Sequence, residues 1–266
     1  MSTDHRINNE PGFILHTYAF KETSVVAEVF TPTHGRVALI ARGARRPTSA
    51  LRGLMQPFTP LLLSWFGKSE LKTLHGAEWL GGLVVPQGRA LMCGFYLNEL
   101  MLRLLARSDA HEVLYNAYAD TLMRLSAAAP EALEQILRRF EKTLLSETGY
   151  AATFDQEADG GETVHAEFAY VYQPERGPKR ADEDQRGPWR AGGNQHEPRQ
   201  ANRNGHEGVT VSGKTLIDLA ADNFDDPTTL AEAKPLMRVL INHYLGAKPL
   251  YTRQLLRELT ELNDPT

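Results

Sequence analysis

Cysteine is almost missing from this chain of 266 residues: Cys93 stands alone. That excludes an internal disulfide and a multi-cysteine zinc site. Long apolar runs are missing too. The opening MSTDHRINNEPG has no apolar signal core, and no later run approaches the ~20 residues of a membrane span, so a cytosolic protein is expected. The nine histidines, His5, His16, His34, His75, His111, His165, His196, His206 and His243, are scattered without the close pairs that chelate a metal. No G-x-S-x-G elbow or comparable nucleophile frame occurs. Charge of one sign is also missing in bulk. With 29 Lys+Arg against 33 Asp+Glu the net charge is −4, and with 42% hydrophobic and 23% charged residues the composition is that of an ordinary soluble globular protein. Nothing in the totals points to nucleic acid or to an enzyme.

The pattern along the chain is more informative. Up to about Leu80, the runs Phe13–Tyr18, Val25–Thr31, Arg36–Ile40, Pro60–Phe66 and Leu71–Leu74 are short and rich in β-branched, aromatic and Leu residues. Turn residues separate them, most clearly Thr31-Pro-Thr-His-Gly35, where Pro32 fixes φ and Gly35 can take positive φ. Five such strands suit a small barrel or sandwich, and a five-stranded barrel would be an OB-fold. From about Gly88 the spacing becomes helical, with Leu91, Phe95, Leu100, Leu102 and Leu105, then Val113, Leu114, Tyr118, Leu122 and Leu125. Pro130 suits the first turn of a third helix and Gly149 its exit, with Leu133, Ile136, Leu137, Phe140 and Leu144 as its buried face. Short connections predict an antiparallel three-helix bundle.

Aliphatic residues then nearly vanish. Gln173 to Gly208 is dense in Pro, Gly, Arg, Asn and Gln and reads as a disordered insert, with Trp189 a solvated residue within it. Helical signals resume at Thr215–Ala221, Leu230–Leu245 and Thr252–Leu259. The expected division is a barrel at 1–80, the first part of a helical bundle at 81–150, a small segment at 151–172, the insert at 173–208, and helices rejoining the bundle at 209–266. The fold class is therefore α+β, an N-terminal barrel followed by a helical bundle.

Gly208-Val-Thr-Val-Ser-Gly213-Lys214-Thr215 matches the phosphate-loop pattern G-x-x-x-x-G-K-[ST] letter for letter. That loop needs a buried strand delivering the chain to its first Gly. None precedes Gly208, and the only strand-like residues, Val209–Val211, lie inside the would-be loop. The segment reads instead as a short strand, a Ser-Gly turn, and a helix starting near Lys214. Cys93, in an apolar helical stretch, reads as a small buried hydrophobe.

The strongest signal is a local absence of acid. No Asp or Glu occurs between Glu28 and Glu70, while Arg36, Arg42, Arg45, Arg46, Arg52 and Lys68 do. That segment carries +6, leaving −10 on the rest. Gly43 and Pro47 mark Arg42-Gly-Ala-Arg45-Arg46-Pro47 as an exposed loop, and guanidinium groups there can grip phosphates bidentately. His34, Phe58, Trp65 and Phe66 lie nearby as possible stacking surfaces, although Phe58 and Phe66 read as barrel core. A second basic group, Arg138, Arg139 and Lys142, is expected on the third helix facing away from Ile136 and Phe140. Its like-signed Arg138 and Lys142 at i,i+4 suit an ordinary solvated face or an anion between them.

Gly12-Phe-Ile-Leu-His16, Glu22-Thr-Ser24, Val29-Phe-Thr31, His34-Gly-Arg36, Ala41-Arg-Gly-Ala-Arg45, Gln56-Pro-Phe-Thr-Pro-Leu61, Leu71-Lys-Thr-Leu74, Tyr96-Leu-Asn-Glu-Leu100, Leu137-Arg-Arg-Phe-Glu141 and Tyr244-Leu-Gly-Ala-Lys-Pro-Leu250 follow in order. Together they resemble the bacterial RecO family of DNA repair and recombination mediators, over nearly the whole chain except the insert. The resemblance implies an N-terminal OB-fold, a helical domain, and DNA binding without hydrolysis or cofactor, in the cytoplasm at the nucleoid. It implies binding of single- and double-stranded DNA and annealing of complementary strands. It further implies work with RecR, and in some species RecF, to load the RecA recombinase onto strands coated by single-stranded DNA-binding protein. The acidic C-terminal tail of that coat protein would dock on the helical domain. Arg138 would hold its terminal carboxylate, Leu137 would take its aromatic end, and Arg139 and Lys142 would lie alongside. Some members hold zinc through four cysteines after the third helix; here Thr153–Tyr172 has none. Two other readings remain: a nucleotide hydrolase built on Gly208–Thr215, and a protein adaptor whose basic loop meets an acidic protein.

Overall fold

The computed structural model describes residues 6–150, 153–181, 208–246 and 248–255. They form two compact units, Met1–Leu133 with Pro249–Thr266, and Glu134–Lys248. Trp189 and most of the expected insert lie outside the described residues.

In the first unit, strands β1 (Arg6–Phe20), β2 (Ser24–Thr31), β3 (Gly35–Ala41), β4 (Pro60–Phe66) and β5 (Leu71–Trp79) close a barrel in the order β1-β2-β3-β5-β4. Every pairing is antiparallel except β3 with β5, where Ala38 stands opposite Leu71. This order, with its one parallel closure, is that of an OB-type barrel. Alternation along the strands turns Ile14, Ala27, Val29, Val37, Leu39, Leu61, Leu63 and Trp65 into one core. Gly35 (φ 61°) closes the β2–β3 turn. A Cβ at that position would also overlap the Asp109 carbonyl, so only Gly fits.

The outer face of β1 and β2 is apolar as well: Phe13, Leu15 and Phe30 are buried. Helices α1 (Gly88–Leu104) and α2 (Glu112–Ala127) cover it. Tyr118 meets Phe13 edge-on at 5.2 Å between ring centroids, and Tyr115 meets Phe30 at 5.8 Å. Tyr118 donates to Asn98 Oδ1 (2.6 Å), while the Asn98 amide donates to the Leu15 carbonyl (2.8 Å), which satisfies the polar groups at this contact. Burial pushes the Tyr118 phenol far above its ordinary range and the Tyr115 phenol up to about 12. The apolar stripes of α1 and α2 are thus used on the barrel. The third helix, α3 (Leu133–Glu147), falls from Glu134 onward in the second unit. Cys93 in α1 is half-buried.

In the second unit α3 accompanies a three-stranded sheet in the order β7-β6-β8, with β6 at Ala169–Gln173, β7 at Gly177–Arg180 and β8 at Val209–Ser212. Helices α4 (Gly213–Ala220) and α5 (Pro227–Leu245) follow. Tyr170, Tyr172, Val211, Leu216, Leu219, Phe224, Leu236 and Ile241 are buried. The sheet corrects the reading of Gln173–Ala181 as part of a disordered insert. Tyr172 pairs with Pro178 and Gln173 with Gly177 across a tight turn, where Glu175 (φ 64°) and Gly177 (φ 99°) take positive φ. Two buried tyrosines supply the apolar surface that the polar letters of β7 lack. Asp226 caps α5 by accepting from the Thr228 amide (2.7 Å), with Pro227 in the first turn.

Candidate nucleic-acid interface

The segment joining β3 to β4 is a chain of tight turns. Arg46 N donates to the Gly43 carbonyl (3.0 Å), Ser49 N to Arg46 (3.0 Å) and Arg52 N to Ser49 (3.1 Å). Gly43 at φ 70° permits the first of them. Ala44 and Met55 are buried in the barrel core, with Leu51 and Leu54 packed against it. These apolar residues plug one end of the barrel, so the charged residues between them point outward. Arg45 N also donates to the Thr23 carbonyl (2.9 Å), tying this loop to the β1–β2 turn.

Arg42, Arg45, Arg46, Arg52 and Lys68 are all exposed, and among the described residues none has an ion pair or side-chain hydrogen bond. On the anchored loop Arg42, Arg45, Arg46 and Arg52 therefore make a surface of positive charge, while Lys68 lies in the β4–β5 turn. Arg36 is placed differently. Its guanidinium lies 3.6 Å from the buried carboxylate of Glu28, which Arg107 also engages, and Arg107 reaches Glu70 at 2.6 Å. Burial pulls the Arg36 guanidinium below its ordinary value against the opposing pull of Glu28. Arg36 is therefore an interior partner of Glu28. Glu28 and Glu70 bound the acid-free segment in sequence, but in space they meet its first arginine and Arg107.

Of the aromatic residues near the basic segment, Trp65 and Phe58 are core, at 1% and 2% exposure. Phe66 is exposed at 37%, contrary to its reading as core. The half-buried His34 stands edge-on to Trp65 at 5.3 Å. Sequence reasoning passed over Lys21, an exposed cation at φ 52° in the β1–β2 turn. It lies before Glu28, outside the acid-free segment, and only the fold brings it to the Arg42 loop.

On α3 the expected basic face is divided. Arg138 is buried and donates to Glu141 Oε1 (2.8 Å), which is itself fully buried. This corrects its placement opposite Phe140: the i,i+3 pair lets Arg138 and Glu141 enter the interior together. Arg139 Nε binds Asp222 Oδ2 (2.7 Å), and Lys142 Nζ lies 3.5 Å from Oδ1 of the same residue. Leu137 is half-buried.

At the phosphate-loop match, β8 runs straight into α4, with Ser212 Oγ capping the helix by accepting from Thr215 N (3.2 Å). A Cβ at Gly213 would overlap the His165 carbonyl, and one at Gly208 would crowd Val171. Both glycines thus answer to sheet packing. Lys214 is held by Asp218 (2.5 Å) and Asp226 (2.7 Å), whose hydrogen bonds raise its ammonium above the ordinary value. Burial would raise the Asp218 carboxyl, but donation from Lys214 and Thr229 outweighs it and holds the group low. Among the described residues no cluster of His, Cys, Asp or Glu could hold a metal, and no helix is long and apolar enough to cross a membrane.

A closed OB-type barrel with an exposed cationic loop, followed by a helix-rich unit, defines a class of barrel-and-helix proteins. Comparison gives the family. Residues 5–83 match the model of the recombination protein O N terminal, and residues 86–254 that of the recombination protein O C terminal. The chain is 67% identical to the DNA repair protein RecO of Thiobacillus denitrificans, covering 99% of this chain and 96% of that one. It is 49% identical to the RecO of Aromatoleum aromaticum, over 98% and 100% of the two chains, and 47% identical to that of Nitrosospira multiformis, over 95% and 96%. The chain belongs to the RecO family of DNA repair proteins.

Proposed function

We propose that this protein binds single- and double-stranded DNA through the turn-built loop of its barrel and anneals complementary strands. The observation that carries this reading is the set of exposed cations Arg42, Arg45, Arg46 and Arg52, unpaired among the described residues, on a loop anchored by Ala44 and Met55; Lys68, also exposed, stands apart in the β4–β5 turn. Annealing two polyanions requires their mutual repulsion to be neutralised, and unpaired guanidinium groups do this at no cost of breaking internal pairs. Arg36 takes no part, because phosphate would have to compete with buried Glu28. The family further suggests action with RecR, and in some species RecF, in loading RecA onto coated strands. It also suggests docking of the coat protein's acidic tail on α3. There the tail carboxylate would displace Glu141 from Arg138, or Asp222 from Arg139 and Lys142. A hydrolase built on Gly208–Thr215 is not favoured, since Lys214 is already held by two carboxylates. The test is strand annealing at two salt concentrations, with and without coat protein, by the native chain and by a variant with Arg42, Arg45 and Arg46 changed to Ala. The variant is expected to anneal poorly and to bind single strands weakly. Unchanged annealing by the variant would place the DNA site elsewhere.

A further inference from the structure

We propose that the groove between the β1–β2 turn and the Arg42 loop is a seat for one unstacked nucleotide of a single strand. Tyr18 is the platform for the neighbouring base. The proposal rests on the DNA-binding reading above and gives the same loop a preference for single strands over duplex.

The groove is open to solvent along one side and has a volume of about 470 Å³. Its walls differ in chemistry. Phe20 and Ile40 form an apolar side, while Lys21, Arg42 and Arg46 supply three cations. None of the three has an ion pair among the described residues; Lys21 Nζ lies 5.6 Å from the centre of the Phe20 ring. The acid on the same turn, Glu22, is exposed and does not line the groove. Gly43 leaves the floor low, since a Cβ there would meet only the Arg46 side chain. An aromatic wall beside unpaired cations matches a base attached to its phosphates. A bare phosphate would leave Phe20 and Ile40 unused, and a duplex keeps its base faces stacked inside.

The strand register extends the path. Tyr18 stands opposite Val26, and Val26 opposite Ile40, so all three share the outer face of the barrel. Tyr18 is 49% exposed, and the His16 ring meets it edge-on at 4.5 Å. Phe20 lies on the same side of β1 as Tyr18, roughly 7 Å further along the strand. The rest of this face, around Phe13 and Phe30, is covered by α1 and α2. At the loop end Tyr18 and Phe20 thus leave an aromatic surface open beside the three cations of the groove.

The experiment is fluorescence anisotropy of the full chain with a labelled oligo-dT, a duplex of equal length, and an oligo-dT carrying abasic positions. Phe20→Leu keeps an apolar side chain at this half-buried position while removing the ring. Combined with Tyr18→Ala, it should weaken binding to oligo-dT about tenfold and leave duplex binding within about twofold. The abasic strand should bind native and variant proteins alike. An equal loss on strand and duplex, or no loss on the strand, overturns the seat. So does an acidic peptide that displaces oligo-dT equally well from native and variant proteins. The Arg42, Arg45, Arg46 triple variant separates this failure from the broader one. If it weakens every nucleic acid while the aromatic variant changes nothing, DNA binding stands and the seat falls. If it too binds like the native chain, the DNA reading falls.

Discussion

Arg36 and Arg42 sit at the two ends of β3, and their surroundings give them opposite roles. Arg36 faces buried Glu28, whereas Arg42 faces solvent beside the groove. Arg138 resembles Arg36: its guanidinium is buried against Glu141, with Nε making no hydrogen bond. The Arg138 guanidinium gives Glu141 a charge-assisted hydrogen bond away from solvent, and such a bond is worth about 1.5–3 kcal/mol. Arg138→Ala is therefore expected to lower the unfolding free energy by about 1.5–3 kcal/mol in urea titration. A variant as stable as the native chain would show that this pair does not hold the fold. Titration of the same variant with an acidic tail peptide, read beside its stability, keeps lost binding apart from lost folding.

At the scale of elements, the turns between β3 and β4 convert a basic sequence into a surface, because buried Ala44 and Met55 alternate with exposed arginines. The β8–α4 junction shows the same logic with different letters. Its Gly-x-x-x-x-Gly-Lys-Thr spacing meets two packing needs and one cap, and holds its lysine in ion pairs. Ser212→Ala should cost about 1 kcal/mol by losing the cap. Gly213→Ala should cost about 1–3 kcal/mol by forcing α4 away from His165. Thermal denaturation checks both. A Gly213→Ala protein as stable as the native chain would mean that the close approach to His165 does not constrain this position.

For the whole molecule, the net charge of −4 conceals a barrel end bearing Lys21, Arg42, Arg45, Arg46 and Arg52, none of which has an acid partner among the described residues. Acidic surroundings elsewhere keep nonspecific attraction low and favour approach of a polyanion to that one end. If these five cations each engage a phosphate, log affinity for a single strand should fall with log salt at a slope of about −3.5. The triple arginine variant should show a slope of about −1.4. A slope that the triple change leaves unaltered would show that counterions are released by other residues.

The barrel was legible because alternation and turn chemistry are local: Pro60–Phe66 is read from sequence with the bounds it has in the structure. The α3 helix, its Pro130 entry and its Gly149 exit are local signals too. Strands β6 and β7 were not legible, since their few apolar letters gain meaning only when Tyr170 and Tyr172 are buried. Nor was the grouping of α3 with the β6–β8 sheet in the second unit. Helical spacing shows that a face will be buried but not against what, and Phe13 and Phe30 claim the faces of α1 and α2. The sequence by itself determined the barrel strands, the basic loop and the family. Which cations stay free was decided only by tertiary structure, because an arginine's role depends on the carboxylate that folding brings to it. Glu28 takes Arg36 and Glu141 takes Arg138, while no carboxylate pairs with Arg42, Arg45 or Arg46 among the described residues.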